Sequence, residues 1–241
     1  MLWHGAIFYL STVHITLPSG HVCPWEPSRM IIAVYGASSR TGHCFIDAAA
    51  TAGHSLRLHY RAKPSEQVPE NATVIVGSLA DPTAVREVLR GADAAVVLFG
   101  HKDDARVPYL AAATKLIVST MKTLAQSRLV VVTGVEVGEH NGNIGITQKL
   151  KMLFTRRTAH DGMMEDRDEQ ERLVRTSQFA GWTVVKPGKL TDAPASDNVQ
   201  MDNALSMGAG SHVSRATLAR VLLREIEQPR FRQQAVYVSE R

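Results

Sequence analysis

The sequence predicts an α/β fold, a doubly wound parallel sheet within a single domain. From Met30 onward, short apolar segments alternate with segments of helical character. The apolar segments are continuous and rich in valine and isoleucine, which is typical of parallel strands buried on both faces. Regular alternation of strands and helices implies parallel strands joined by right-handed crossovers. The 241 residues are enough to bury a sizeable core in one domain.

The first half of the chain supplies four predicted strands and two predicted helices. The strands are Ile31–Tyr35, Ser55–Tyr60, Ala72–Gly77 and Asp93–Gly100. Between the first two strands, Thr41–Thr51 is alanine-rich and predicted to be helical. Before the fourth strand, Asp81 is expected to cap a helix that has proline at its first position and ends at Gly91.

The second half continues the alternation around a less regular middle. Helices are predicted over Val107–Gln126 and near Met164–Ser177, and Ser214 is expected to open a third. The remaining strands are predicted at Arg128–Gly134, Trp182–Gly188 and Gln234–Ser239. The expected sheet order is therefore 3-2-1-4-5-6-7. The segment Asp192–His212 is rich in Ser, Asn, Gly and Asp, and is expected to be a loop over the open end of the sheet.

The composition excludes several classes of function. The chain has 27 basic and 23 acidic residues, for a net charge of +4, and these are interspersed, so nucleic-acid binding is not expected. No run of about 18 apolar residues occurs, so no membrane span is expected. Cys23 and Cys44 lack metal-ligand spacing, so neither a metal site nor a disulfide framework is expected. The expected location is the cytoplasm.

The first 29 residues differ from the rest of the chain. They contain no lysine or arginine before Arg29, and their prolines, glycines and histidines interrupt any regular pattern. We therefore expect residues 1–29 to be a poorly ordered extension, or Met30 to be the functional start, with residues 30–241 as the domain. A weak secretory or targeting role is the alternative, although a basic start and a clear cleavage site are missing.

The turn after the first strand reads Gly36-Ala-Ser-Ser-Arg-Thr-Gly42 and leads directly into a helix. Gly36 permits a tight turn, and Gly42 permits the helix to pack closely on the strand. Backbone N–H groups and the helix dipole then face an anion, here the pyrophosphate of a dinucleotide. Ser39 stands where such turns usually have a middle glycine. A turn of this kind can be purely structural, but in the first strand–helix unit of such a sheet it predicts dinucleotide binding.

The residues after the second strand favour NADP(H) over NAD(H). A site that prefers NAD has Asp or Glu at the end of that strand, where it binds the ribose hydroxyl. Here Arg61 and Lys63 follow the strand, and the first acid is Glu66. Arg61 can form a forked pair with a 2′-phosphate, and Arg40 can approach from the other side. The alternative is that Arg61 and Lys63 are ordinary surface charges.

Six segments together resemble one family. They are VYGASSRTG, VGSLADPTAV, AAVVLFG, LVVVTGVEVG, DEQERLVRTS…GWTVVKPGKLTD and VSRATLARVLL, in that order. The chain is similar here to atypical short-chain dehydrogenase/reductases, and in particular to the NmrA-like, NAD(P)H-binding group that includes biliverdin- and flavin-reductase-type proteins. The resemblance runs from Met30 to the C-terminus. It implies a Rossmann-like fold that binds NADP(H).

The resemblance also implies a role for particular positions. The residues expected at the phosphates are Gly36, Ser38, Ser39, Arg40, Thr41, Gly42 and, for the 2′-phosphate, Arg61. The residues expected at the adenine and at the nicotinamide-side ribose are Leu79 with Asp81, and Phe99 with Gly100. The residues expected beside the nicotinamide and closing that end are Thr133, Gly134, Lys186, Pro187 and Gly188. Three positions depart from the family pattern, with serine at 39 for glycine, serine at 78 for an acid and lysine at 186 for arginine.

The tyrosine of the orthodox dehydrogenases is missing where it belongs. No tyrosine lies between the fifth and sixth predicted strands, so tyrosine-driven alcohol or ketone chemistry is not expected. One hypothesis is a reductase that passes hydride from NADPH to a small conjugated acceptor, with Thr133, His101 and His140 as candidate catalytic residues. The other is a non-catalytic NADP(H) sensor that acts through protein partners. Both leave open whether the protein is a monomer or a homodimer.

Overall fold

The computed structural model describes residues 29–100, 108–138, 144–147, 149–150, 153–154 and 162–241. The strands in these ranges are β1 (Ile31–Tyr35), β2 (Ser55–Tyr60), β3 (Ala72–Val76), β4 (Ala94–Val97), β5 (Leu129–Val132), β6 (Trp182–Pro187), β7 (Lys189–Thr191), β8 (Val199–Asp202), β9 (His212–Ser214) and β10 (Gln234–Glu240). The helices are α1 (Arg40–Thr51), α2 (Pro82–Leu89), α3 (Leu110–Thr123), α4 (Met163–Arg175) and α5 (Arg215–Glu227).

Eight strands form one sheet, in the order β3-β2-β1-β4-β5-β6-β10-β8. Every neighbouring pair is parallel except β10 with β8, which is antiparallel. The predicted order is confirmed, with β10 as its seventh strand. The carboxyl ends of the parallel strands therefore lie along one edge of the sheet, with β1 and β4 side by side where the strand order reverses.

The segment predicted as a loop, Asp192–His212, contains a strand. β8 lies within it and pairs with β10, and β7 and β9, which flank it, pair in parallel. The prediction followed the polar composition of the segment. Val199 and Met201, however, alternate with polar residues and pack against the core, which is the pattern of an edge strand with one buried side.

Helices cover both faces of the large sheet. Ile32 and Val34 of β1 face the core under α1 and α5. Ala33 and Tyr35 face the core under α2, α3 and α4. Because successive side chains of a strand point to opposite faces, burial on both sides explains why the central strands are continuously apolar.

The helix starts follow the predicted caps at two helices and a tertiary contact at a third. Asp81 caps α2, and Ser214 caps α5 by accepting from Thr217 N–H. Helix α3 is shorter than the predicted Val107–Gln126, of which Val107 lies outside the described residues. Its start is held by the Asp166 carboxylate of α4, which accepts hydrogen bonds from the N–H groups of residues 109, 110 and 111 at 2.8–2.9 Å.

Candidate functional site

The turn between β1 and α1 requires glycine at two positions. Gly36 has φ +91°, and a Cβ there would lie 2.6 Å from the backbone nitrogen of Phe99, just after β4. A Cβ on Gly42 would overlap the carbonyl oxygen of Gly36. Backbone atoms exclude a side chain at both positions, because they cannot swing aside as a flexible side chain does. The turn therefore passes close to the end of β4 and brings the start of α1 to the edge of the sheet.

Ser39, in the place of the usual middle glycine, is the N-cap of α1. Its Oγ accepts a hydrogen bond from Gly42 N–H at 2.9 Å, and its own N–H donates to Gly36 O at 3.0 Å. The first turn of α1 has no acidic residue, so no carboxylate of the helix competes for its N-terminal dipole. The N–H groups of Arg40 and Thr41, which have no acceptor within the helix, are suited to an anion. The turn thus fits a pyrophosphate.

The side chain of Arg40 is held by an acid from the opposite end of the chain. Its Nη1 lies 2.9 Å from Asp192 Oδ2, and Asp192 Oδ1 lies 2.5 Å from Arg215 Nη1 at the start of α5. Arg215 is 9% exposed, whereas Arg40 and Asp192 are exposed. A phosphate that approaches Arg40 therefore meets competition from a carboxylate. The sequence provided no signal for this contact.

The end of β2 carries both a cation and an acid. Arg61 is exposed, and its positive charge opposes the burial that raises the pKa of Tyr109. Glu66, which lies in the following loop, folds back to 3.4 Å from His43 of α1. Burial and the bond to Glu66 raise the pKa of Tyr60 to about 12. Glu66 thus lies closer to the end of β2 than its place in the sequence suggests.

The residues expected near the adenine and the ribose have local structural partners. Asp81 Oδ1 accepts from Thr83 N–H at 2.8 Å as the cap of α2, and Leu79 packs against the core. Phe99 is 9% exposed, and its backbone nitrogen lies close to Gly36, 2.6 Å from where a Cβ would stand. The carbonyl oxygen of Gly100 accepts a hydrogen bond from the Tyr109 hydroxyl at 2.6 Å.

A cavity of about 360 Å³ opens beside the ends of β5 and β6. It brings together four of the residues expected at the nicotinamide end, Thr133, Gly134, Pro187 and Gly188. Three charged residues that sequence reasoning missed, Glu136, Arg167 and Lys189, also line it. Arg167 Nη1 of α4 lies 3.2 Å from Glu136 Oε1, and both side chains are about one-third exposed, at 32% and 29%. The cavity wall is therefore partly polar, with two hydroxyl residues, Thr133 and Ser211, and one ion pair.

Lys186 lies behind this wall and not in it. Its side chain is 0% exposed, and its Nζ lies 3.1 Å from Glu171 Oε1 of α4 and 2.5 Å from Val137 O. The resemblance placed it at the closing end of the cofactor site. Burial lowers the pKa of Lys186, which Glu171 opposes, and burial raises the pKa of Glu171, which Lys186 opposes.

The polar pattern of α4 contained a signal for this pair. Asp166, Gln170 and Glu171 are all buried although the helix is strongly charged. Polar residues at positions that face a core normally have specific partners, and here the partners are the start of α3, Thr114 and Lys186. The partner of each of these residues depends on how α4 packs against its neighbours, and the sequence alone did not show this packing.

Two of the predicted site residues lie outside the part of the chain that the structure describes. They are His101 and His140. Within the described ranges, no group of three His, Cys, Asp or Glu residues is placed to hold a metal ion. None of the helices in those ranges has the length and apolarity needed to cross a membrane.

Comparison with known proteins agrees with this geometry. The family model described as NAD(P)H-binding matches residues 36–229. Among solved structures, the chain is similar to a short-chain dehydrogenase/reductase from Veillonella parvula in complex with NADP, with TM-score 0.70, 15% identity, and coverage of 88% of this chain and 94% of that one. It is also similar to a candidate NADH-flavin reductase from Streptococcus pneumoniae, with TM-score 0.67, 21% identity, and coverage of 88% and 100%.

A third similar structure is the anaerobilin reductase ChuY from Escherichia coli, with TM-score 0.67, 17% identity, and coverage of 87% of this chain and 97% of that one. These identities are low, so the likeness is one of fold. The family model, in contrast, spans most of the chain, and it begins at Gly36, the first residue of the turn whose geometry fits a pyrophosphate. The chain therefore belongs to the NAD(P)H-binding family, and it has a Rossmann-like fold.

Proposed function

We propose that the protein is an NADPH-dependent reductase that transfers a hydride to a small conjugated acceptor such as a flavin, a quinone or a tetrapyrrole. The observation that carries the proposal is the cavity beside the ends of β5 and β6. It lies at the carboxyl edge of the sheet, where ligands of such folds bind. Among the residues expected beside the nicotinamide, Thr133 is the one that brings a hydroxyl group to the cavity wall.

The glycine turn would hold the cofactor's pyrophosphate through the backbone from Gly36 to Gly42, with Ser38 exposed at its outer side. Arg61 would pair with the 2′-phosphate, because it is exposed directly after the end of β2. Arg40 would reach a phosphate only by leaving Asp192. Glu66, close to the same strand end, is the group that would instead favour the ribose hydroxyl of NAD. We favour NADP(H), because Arg61 directly follows β2 whereas Glu66 is engaged by Tyr60 and His43.

A conjugated acceptor suits this cavity on chemical grounds. A bound nicotinamide supplies the hydride, and a conjugated system spreads the resulting negative charge, so a strong protein acid is less necessary. Thr133 lines the cavity, so its hydroxyl would be close to an acceptor bound there. His101 and His140 are the other candidate proton donors. Two of the similar structures are a candidate flavin reductase and a tetrapyrrole reductase, which supports the same class of acceptor.

The second candidate is a nucleotide sensor that works through a protein partner. Three apolar side chains favour it, because Ile146, Leu150 and Leu153 are 76%, 62% and 56% exposed. These three residues follow one another at intervals of four and three positions, and exposed apolar side chains that form a patch are typical of a contact surface. The two candidates differ in turnover and not in cofactor binding.

The test is NADPH oxidation by the purified protein with flavins, quinones and biliverdin offered in parallel, each beside a protein-free control. Turnover with one acceptor, reduced in Thr133→Val, establishes the reductase and its acceptor class. Tight NADPH binding without turnover on any acceptor rejects the reductase and favours the sensor.

A further inference from the structure

Thr133 connects the cavity to the buried ion pair behind its wall. Its Oγ1 lies 3.3 Å from Glu171 Oε2, and Glu171 Oε1 lies 3.1 Å from Lys186 Nζ. The side chains of Glu171 and Lys186 are 1% and 0% exposed. A continuous row of hydrogen-bonded groups therefore runs from Thr133, which lines the cavity, through Glu171 to an ammonium group in the interior.

A contribution to folding stability does not by itself explain why the ion pair of Glu171 and Lys186 is buried. Removing two charges from water costs more than their attraction returns in many proteins, so a buried pair needs precise partners. Here the carbonyl oxygen of Val137 accepts a hydrogen bond from Lys186 Nζ, and the centroid of the Tyr237 ring lies 5.7 Å from Nζ. Arg175 lies 3.1 Å from Glu171 Oε1.

The remaining charges near the pair lie on α4 and on the loop after β5. Asp168 accepts a hydrogen bond from Gly138 N–H, and its charge favours the ammonium form of Lys186. Arg167 and Glu136 form their own pair in the cavity wall. The environment is thus close to balanced in charge, and burial brings the proton affinities of Glu171 and Lys186 nearer to each other, since it raises the pKa of one and lowers that of the other.

We propose that Glu171 and Lys186 are the proton reservoir of Thr133, and that the three residues deliver the proton that completes reduction of the acceptor. The inference rests on the proposed function and names the proton path for it. Thr133 is the catalytic residue, because it contacts the cavity. Glu171 and Lys186 are positioning residues, because they act through it.

The step balances in protons and electrons. The acceptor, having received a hydride and therefore two electrons, is an anion. The O–H bond of Thr133 breaks, and its proton forms the new bond to the acceptor. Oγ1 takes a proton from the Glu171 carboxyl group, which has received it from the Lys186 ammonium. Lys186 is then a neutral amine, and water that enters the emptied cavity returns one proton through Thr133 and Glu171 and leaves to the solvent as hydroxide.

Lysine at position 186 is what makes this path testable. An arginine there retains the positive charge and N–H donors for Glu171 and Val137, but it does not release a proton at accessible pH. Lys186→Arg therefore separates support of the fold from proton transfer. Lys122→Arg, on the exposed end of α3, is the matched control for the substitution.

The first measurement is kcat against pH, with the solvent deuterium isotope effect, for the wild type and these variants. Wild-type kcat should fall as the pH rises through the pKa of Lys186, because the neutral amine has no proton to give. Lys186→Arg should bind NADPH as the wild type does, lose roughly tenfold or more in kcat, and lack this alkaline fall. Thr133→Ser should retain most of the rate and Thr133→Val should not.

The second measurement needs no turnover. In protein with ¹³C at the lysine ε-carbon, the NMR signal missing from Lys186→Arg identifies Lys186. It should titrate below the range of the other lysines, and its titration should move in Thr133→Val. An unmoved titration, or a wild-type pH profile and isotope effect in Lys186→Arg, overturns the proton path and leaves the reductase standing. Absence of NADPH oxidation by the wild type with every acceptor overturns the reductase and the path together.

Discussion

Asp192 holds Arg40 at 2.9 Å although 152 residues separate them along the chain. One of the two residues belongs to the turn expected to bind the cofactor's phosphates, and the other follows β7. The same carboxylate also binds Arg215 at 2.5 Å. If the turn binds the cofactor as proposed, its phosphates compete with Asp192 for the Arg40 guanidinium group.

Asp192→Asn should strengthen NADPH binding, because it releases Arg40 from its acidic partner. Exposed ion pairs are worth about 0.2–1 kcal/mol, so the dissociation constant should fall by no more than about fivefold. Titration of NADPH fluorescence measures the change. Asp197→Asn removes another exposed acid, the partner of Arg220, and should leave binding unaltered. Weaker binding in Asp192→Asn would show that Asp192 positions Arg40 for the phosphate.

Arg61→Glu should reverse the cofactor preference. The substitution removes the guanidinium group expected at the 2′-phosphate and puts a like charge in its place, so NADPH affinity should fall by roughly tenfold or more while NADH affinity holds or improves. Dissociation constants for both cofactors, measured side by side, test this. Lys122→Glu makes the same charge change on α3 and should alter neither. An unchanged ratio of the two constants would place the 2′-phosphate elsewhere.

Gly36→Ala should disable the cofactor turn, whereas Gly53→Ala should not. Both glycines have positive φ, at +91° and +84°, but a Cβ on Gly53 meets nothing within 4 Å while one on Gly36 meets the Phe99 backbone. The strain of the backbone costs about 1–2 kcal/mol at either site, and the clash adds to it only at Gly36. Urea unfolding and NADPH binding measure the two effects. Equal loss of stability in both variants would mean that the turn can move away from β4.

His59 should make the protein less stable in weak acid. Burial lowers its pKa, Arg61 lowers it further, and a hydrogen bond with Gly77 opposes both. The folded protein thus favours neutral His59. Its contribution to the free energy of unfolding is complete above the ordinary histidine pKa, and it is lost as the pH falls through the lowered value.

The check is urea unfolding between pH 7.5 and about pH 5, a range set by the ordinary histidine pKa of about 6.5. His59→Gln should flatten the dependence of the unfolding free energy on pH. His43→Gln, at an exposed site on α1, is the comparison variant. The same slope in His59→Gln as in the wild type would assign the acid sensitivity to other groups.

Glu171→Gln should destabilise the fold, because it leaves the Lys186 ammonium buried without its partner. Breaking a buried pair costs about 3–5 kcal/mol, whereas apolar replacement of both partners is often neutral. The double variant Glu171→Met with Lys186→Met should therefore be more stable than Glu171→Gln. Glu169→Gln, which affects an exposed pair with Arg172, should hardly change stability. Thermal and urea unfolding of the four proteins decide the matter.

Much of the fold was predictable because its signals are local. The strands β1 and β2 have the predicted limits, since apolar runs and flanking glycines reflect only neighbouring residues and burial. Caps such as Asp81 and Ser214 also act over a few residues. β8 was missed because an edge strand with one buried side has a polar composition, and its partner, β10, lies far away in the sequence.

The features of the candidate site also fall into those that have local signals in the sequence and those that depend on distant partners. Local patterns were enough to predict the glycine turn, the order of the sheet and the residues beside the cavity, because the spacing of residues along adjacent strands places them at one edge. Tertiary packing was needed to show that Asp192 binds Arg40, that Glu66 returns to the end of β2, and that Lys186 contacts Glu171 behind the cavity. These are contacts between side chains of different elements, and they depend on how helices and loops pack on the sheet, which no local pattern specifies.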